Sequence, residues 1–233
     1  MEIKVVASGS RGNAYRVSDG VTSLLLDAGV PMSRLRPALD FRVCELSACL
    51  VSHCHMDHSR AVGELLRAGV PVYTSAGTIG AIRQSSGLLR SVRALEPVEI
   101  GSFTVLPFDV QHDAPEPLGF LLTSRETGER LLYLTDSFYT KYTFPGLTHI
   151  MCECNYSEEV LRERIEAGAI PTALAKRLRT SHMSLDHFLD LLRANDLSGV
   201  RQIYLLHLSD NNSEAERFRE ATAALTGCEV YVC

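Results

Sequence analysis

Val51-Ser52-His53-Cys54-His55-Met56-Asp57-His58-Ser59 follows directly on the apolar run Ala48-Cys49-Leu50. Three imidazoles and a carboxylate lie within six residues, and together they offer neutral nitrogen and hard oxygen donors. That mixture suits Zn, Mn or Fe. A strand end running into a helix start lets alternate side chains converge on one point, which a continuous helix would not. An isolated histidine is most often a satisfied core group. Three of them spaced H-x-H-x-D-H after a strand reverse that reading.

Further donors recur at matching places. His112 follows the strand-like run Phe103–Val110, Asp136 ends Leu131–Thr135, and His207 ends Ile203–Leu206. In each case an apolar strand gives way to a polar loop, where a rigid scaffold meets an open surface and active sites gather. Around these points, Ile3–Ala7, Tyr15–Val17, Ser23–Asp27, Ala48–Ser52 and Val70–Thr74 read as strands. So do Leu118–Thr123, His149–Cys152 and Glu229–Val232. Helices are expected near Ser59–Ala68, Gly77–Gln84, Ser157–Ala167, Leu185–Asn195 and Glu214–Leu225. Strands grouped in hairpins with helices between the groups predict mixed sheets covered by helices, not a doubly wound parallel sheet. Neither a repeat nor a long linker divides the chain, so residues 1–233 read as one domain.

Composition narrows the field. The 233 residues carry 23 Lys+Arg against 28 Asp+Glu, a formal net charge of −5, with 45% hydrophobic and 22% charged residues. This is the balance of an ordinary globular protein, not of a basic nucleic-acid glove or an acidic tail. No apolar run approaches the length of a transmembrane helix. The opening MEIKVVASGS reads as a strand and turn, not as a signal peptide. Seven cysteines without a C-x-x-C pair fit reduced thiols, so a cytoplasmic location and no membrane partner are the expectation.

With its downstream His, Asp and His, His53-Cys54-His55-Met56-Asp57-His58 resembles the metallo-β-lactamase fold hydrolases. Leu24-Leu25-Leu26-Asp27-Ala28-Gly29 is similar to that superfamily's early strand ending in aspartate. The resemblance covers almost the whole chain and implies an α/β, four-layer αββα sandwich with two mixed β-sheets. It implies that His53, His55 and His112 hold one divalent ion (Zn or Mn), that Asp57, His58 and His207 hold a second, and that Asp136 bridges them. Asp27 would orient a ligand histidine from behind.

Later segments narrow the branch. Glu153-Cys154-Asn155-Tyr156 and Ser181-His182-Met183-Ser184 resemble the paired Glu and His elements of ribonuclease Z-like phosphodiesterases. A carboxylate beside an imidazole keeps it protonated near neutrality and available as an acid. The resemblance therefore implies that His182, backed by Glu153, protonates the leaving oxygen. Asp57 would help to orient a metal-bridging hydroxide for attack on phosphorus. Three stretches resemble both the YycJ/WalJ-like exonucleases and the anti-Pycsar phosphodiesterases. They are Ala7-Ser8-Gly9-Ser10-Arg11-Gly12-Asn13, Gln111-His112-Asp113-Ala114-Pro115-Glu116-Pro117-Leu118-Gly119-Phe120, and Leu206-His207-Leu208-Ser209-Asp210-Asn211-Asn212. Ser8–Asn13 reads either as an anion cradle or as a plain hairpin turn. His149, His187 and the charged segment Glu158–Glu166 are assigned structural or surface roles.

A polymer nuclease usually needs a basic track, and here no Lys/Arg run exceeds two residues. The expectation is therefore hydrolysis of 3′,5′-cyclic mononucleotides to mononucleotides, by a homodimer as in related phosphodiesterases. A YycJ-like exonuclease acting on DNA or RNA ends is the alternative. A thioesterase or lactonase of the same fold is more remote, since it would leave Glu153 and His182 without a chemical task.

Overall fold

The computed structural model describes residues 1–209 and 213–233; the Asp210-Asn211-Asn212 end of the third resembling stretch lies outside them. The chain forms two compact units, one of residues 1–109 and 114–129, the other of residues 110–113 and 130–233. Among the described residues no helix is long and apolar enough to cross a membrane.

The first unit opens with β1 (Glu2–Ala7), β2 (Ala14–Ser18) and β3 (Ser23–Leu26), an antiparallel meander. It continues through α1 (Met32–Ala38), β4 (Ala48–Leu50), α2 (Met56–Ser59), α3 (Val62–Arg67), β5 (Val72–Thr74), α4 (Ala76–Ile82) and β6 (Leu89–Ser91). From β3 to β6 the strands pair in parallel, so the six make one mixed sheet in chain order. Its core gathers Leu25, Cys49, Val51 and Val72 from the strands with Leu35, Val62 and Leu65 from the helices. Each parallel crossover needs a helix or long connection on a sheet face, and α1 and α3 supply the apolar side chains. β7 (Val98–Ile100), β8 (Phe103–Asp109) and β9 (Leu118–Ser124) add an antiparallel meander.

The second unit has four parallel strands in the order β10 (Arg130–Leu134), β11 (His149–Glu153), β12 (Gln202–Leu206) and β13 (Glu229–Val232). Between them run α5 (Glu158–Glu166), α6 (Thr172–Ser181), α7 (Leu185–Arg193) and α8 (Ala215–Thr226). Every residue of β11 is buried, as expected of a central parallel strand covered on both faces.

Most expected elements are present with ends shifted by a residue or two, and some differ for physical reasons. The helix expected near Ser59–Ala68 starts earlier and breaks, because Ala28 N takes the His58 carbonyl (2.8 Å) and Ala61 N turns to Ala28 O (2.8 Å). α1 holds Pro37 in its last turn, and that proline hid the helix from a periodicity reading. α6 lacks the usual start signal, since Pro171 occupies its N-cap and makes no side-chain cap hydrogen bond. β6 and β7 have three residues each, too few to show alternation.

Inside the first unit, the β2–β3 hairpin is pinned to the β7–β9 meander by one carboxylate. Asp19 accepts hydrogen bonds from Ser102 Oγ (2.5 Å), Ser124 Oγ (2.7 Å) and the Thr22 backbone N–H (2.9 Å). Partial burial pushes its pKa up, but these donors prevail and hold it at about 2. A depressed carboxylate adds stability above its unfolded pKa and loses it as pH falls through the folded value. Asp19→Asn should therefore lower stability at pH 7 by on the order of 1 kcal/mol, allowing for solvent screening. Urea melts at pH 7, 4 and 2 check this: the gap between the two proteins should close toward pH 2, and a gap constant with pH would contradict it.

Candidate functional site

In the first unit the chemistry is organised around Asp27, which ends β3 with a left-handed φ of 56° and no solvent exposure. Its Oδ1 accepts from the Ser52 backbone N–H (2.7 Å), and its Oδ2 accepts from Ser52 Oγ (3.0 Å). The same Oδ2 lies 2.7 Å from His58 Nδ1. A buried carboxylate needs donors, so the His58 proton sits on Nδ1 and the lone pair on Nε2. Asp57 Oδ2 is 3.5 Å from that Nε2. His53 rests its Nδ1 on Ser52 Oγ (3.0 Å) and turns Nε2 to within 3.1 Å of His55 Nδ1. Ring nitrogens this close share either a proton or a cation.

Asn13 ties this loop to the start of the chain. Its backbone N–H donates to Asp57 O (2.7 Å), and its Nδ2 reaches Gly9 O (3.1 Å) and lies 3.1 Å from His58 Nε2. Tyr15 Oη and Gly9 N both donate to its Oδ1 at 3.0 Å. Ser8–Asn13 is thus the turn between β1 and β2, and it also braces the histidine loop. The sequence reading quoted Asn13 only within a longer stretch and missed its role and that of Ser52; adjacency to His53 was the available signal for the second. Packing here is backbone to backbone. A Cβ added to Gly29 would fall 1.6 Å from Asp57 O and 2.8 Å from Asn13 N.

In the second unit the donors surround Asp136 and Glu153. Asp136 sits at φ 35° just beyond β10, and His207 at φ 53° just beyond β12. Strained backbone of this kind collects at functional positions. One oxygen of Asp136 lies 3.6 Å from His112 Nε2 and the other 3.7 Å from His207 Nε2. Its carboxylate thus spans two imidazoles. His112 Nδ1 donates to the Ser181 carbonyl (2.8 Å), and its Nε2 faces Asp136 and, at 3.3 Å, Asp113 Oδ1. Burial lowers the pKa of His112 despite the opposing pull of Asp136, which favours the neutral imidazole, the form able to bind a metal.

Glu153 ends β11 fully buried. Its Oε2 accepts from Ser137 N (2.9 Å) and Met183 N (3.2 Å). Its Oε1 lies 2.5 Å from His182 Nδ1 and 3.5 Å from His207 Nδ1. Burial alone would raise the pKa of Glu153 and lower that of His182. Their mutual attraction outweighs it, and the pair is held as carboxylate and imidazolium. The His182 ring stacks on His207 at 5.4 Å and meets His112 edge-on at 5.5 Å. Asp136, Glu153, His182 and His207 each bring one donor atom, all within 4.8 Å of one another. Asn155 donates to His207 O (2.8 Å); the sequence reading had no role for it. His149 is buried with Nδ1 at 2.8 Å from Thr148 Oγ1, and two α5 charges are ion-paired, Glu158 with Arg179 and Glu159 with Arg217, so α5 is not simply a solvated face.

The donor chemistry fits divalent metal. In both units imidazoles have one nitrogen engaged with a carboxylate, hydroxyl or carbonyl, while the other meets further imidazole or carboxylate donors. The family model of the beta-lactamase superfamily domain matches residues 22–208. The chain belongs to the beta-lactamase superfamily. Its two mixed α/β units are those of a metallo-β-lactamase fold, and this superfamily member is a metal-dependent hydrolase. It is 28% identical over 236 residues to exodeoxyribonuclease YycJ of Bacillus anthracis, covering 94% of this chain and 86% of that one. Exodeoxyribonuclease WalJ of Streptococcus pneumoniae is 26% identical, with 91% and 83% covered. The metallo-beta-lactamase fold protein YhfI from Bacillus subtilis superposes with a TM-score of 0.76 at 18% identity, covering 99% of this chain and 95% of that one.

Gly29→Ala tests the bracing of the histidine loop in this superfamily member. With only backbone atoms to displace, it should cost about 2 kcal/mol or more and strip bound metal, as read by melting and elemental analysis. Gly80→Ala, inside α4 where an added Cβ meets nothing within 4 Å, should leave metal content unchanged and raise the melting point slightly. Full metal content in Gly29→Ala would show that the loop tolerates the shift.

Proposed function

We propose that this protein hydrolyses phosphodiester bonds at DNA ends. The observation that carries the phosphodiester reading is His182 Nδ1 seated 2.5 Å from the buried Glu153 Oε1, a contact that raises the pKa of His182 and favours its protonated form. An acid of that kind serves an alkoxide leaving group, and it would be idle in a thioesterase. The substrate class is supported by two exodeoxyribonucleases matched along nearly the whole chain.

In this reading residues 1–233 work as one domain. His53, His55 and His112 would hold one divalent ion, Asp57, His58 and His207 another, with Asp136 between them. Zn and Mn both suit an all-His/Asp set. When bound, the ions supply Lewis acidity toward the phosphodiester and a nucleophile at neutral pH. Asp27 holds the His58 tautomer, and Asp57 orients the attacking group. His182 gives its proton to the departing deoxyribose oxygen, and Glu153 stabilises the imidazolium until then. A homodimer and a reducing, cytoplasmic setting belong to the same proposal; the latter rests on seven cysteines, none of them in a disulfide.

A second reading, hydrolysis of 3′,5′-cyclic mononucleotides, is favoured by the net charge of −5. Such a substrate needs no basic track. Metal-loaded protein offered both end-labelled DNA and cyclic mononucleotides, with His55→Ala as the blank, decides between them. Stepwise shortening of DNA is expected. Release of linear nucleotide with intact DNA would establish the second reading, and activity on neither would end both.

His182→Ala and Glu153→Gln should each lower kcat by about 10²–10³ while metal content and KM stay near wild type. Parallel loss of metal and turnover would remove the role of His182 as proton donor.

A further inference from the structure

A cavity of about 440 Å³ lies in the second unit between the loop of residues 139–143 and α7. That is within the size range of small-molecule sites. Met183 and Leu191 form an apolar floor, while Tyr139, Lys141, Tyr142 and Asp190 line the walls. We infer that this cavity is a nucleobase subsite, placed so that a base of the substrate stacks on Tyr139 while the adjoining phosphodiester meets His182. The inference rests on the phosphodiesterase reading and names the part of the substrate that this cavity takes.

Three observations carry it. First, the lining offers what a nucleobase needs. Tyr139 leaves 53% of its surface exposed and so presents an unused ring. Base–aromatic stacking tolerates any base, because every base has a π-face. The Asp190 carboxylate can accept from a base edge, and the Lys141 ammonium, 5.0 Å from the centre of the Tyr142 ring, can meet a backbone phosphate.

Second, the cavity is anchored to the proton donor. Met183 in its floor directly follows His182 and donates its N–H to Glu153 Oε2 (3.2 Å). Ser137, at the root of the loop, donates its N–H to the same oxygen (2.9 Å). Third, the loop is fixed: His187 Nδ1 donates to the Phe138 carbonyl (3.0 Å), tying the loop to the first turn of α7. Tyr139 is only three residues from Asp136, so the two Cα atoms lie within about 11 Å of each other. This also gives His187, assigned a surface role from sequence, a positioning task.

The test is a short oligodeoxynucleotide carrying 2-aminopurine at its terminal residue and a phosphorothioate linkage that resists cleavage. Wild type should quench its fluorescence on binding, since the base stacks. Tyr139→Ala should abolish the quenching and weaken Kd about tenfold, and Tyr139→Phe should restore both. A strand with an abasic terminus should bind wild type and Tyr139→Ala equally. Equal Kd for base-bearing and abasic strands in wild type, or unchanged quenching in Tyr139→Ala, would overturn the subsite. A linear 2-aminopurine mononucleotide run in parallel shows whether the base suffices or the strand is needed, and quenching of either supports the subsite. The turnover assay is read separately. Cleavage of DNA without Tyr139-dependent quenching sinks the subsite alone, and quenching without cleavage of any phosphodiester sinks the reading on which it rests.

Discussion

A carboxylate removed from water must be surrounded by hydrogen-bond donors or lose its charge. Asp27 is such a group, with no exposed surface and with the Ser52 backbone, the Ser52 hydroxyl and His58 as its partners. The arrangement joins the end of β3 to the loop after β4 and sets which nitrogen of His58 carries the proton. His53 takes its orientation from the same serine. One buried charge thus fixes several side chains whose own backbone segments are far apart in sequence. Glu153 does the same in the second unit, where one carboxylate receives the Ser137 and Met183 amides and faces both His182 and His207. The two units therefore follow one rule: a strand ends in a buried acid, and histidines arrange themselves around it.

Placing these polar side chains where strands stop also accounts for their backbone conformations. Asp27, Asp136 and His207 all have positive φ without being glycine. Each turns sharply where its strand stops, which swings the side chain across the edge of the sheet. That conformation costs of order 1 kcal/mol or more per residue and persists only where the surroundings impose it. Buried hydrogen bonds impose it at Asp27, and the Thr135 hydroxyl on Asp136 Oδ1 (3.0 Å) contributes at the second position.

Much of this was legible in the residues. H-x-H-x-D-H after an apolar run marks a donor cluster because alternate side chains at a strand end must converge, and Asp136 and His207 were readable by the same logic. Asp27 and the Glu153–His182 pair came from resemblance, since nothing in local spacing says that residues 29 positions apart will meet. The roles of Asn13 and Asn155 stayed hidden because each side chain bonds backbone and histidine atoms from distant segments, which leaves no periodic trace. The break between α2 and α3 was invisible for a related reason: its cause is Ala28, a residue from another loop that takes a helix carbonyl. Short strands such as β6 carry too few residues for alternation to register.

The left-handed turn at Asp136 has a bearing on how this lineage can diverge. Asparagine and aspartate enter that region of backbone space more readily than other residues bearing a Cβ. Exchange of one for the other there would preserve the local path of the chain while removing the negative charge that spans two imidazoles. Drift at this codon therefore separates inheritance of the architecture from inheritance of the chemistry. A descendant with asparagine there would keep the turn and lose the carboxylate that faces His112 and His207.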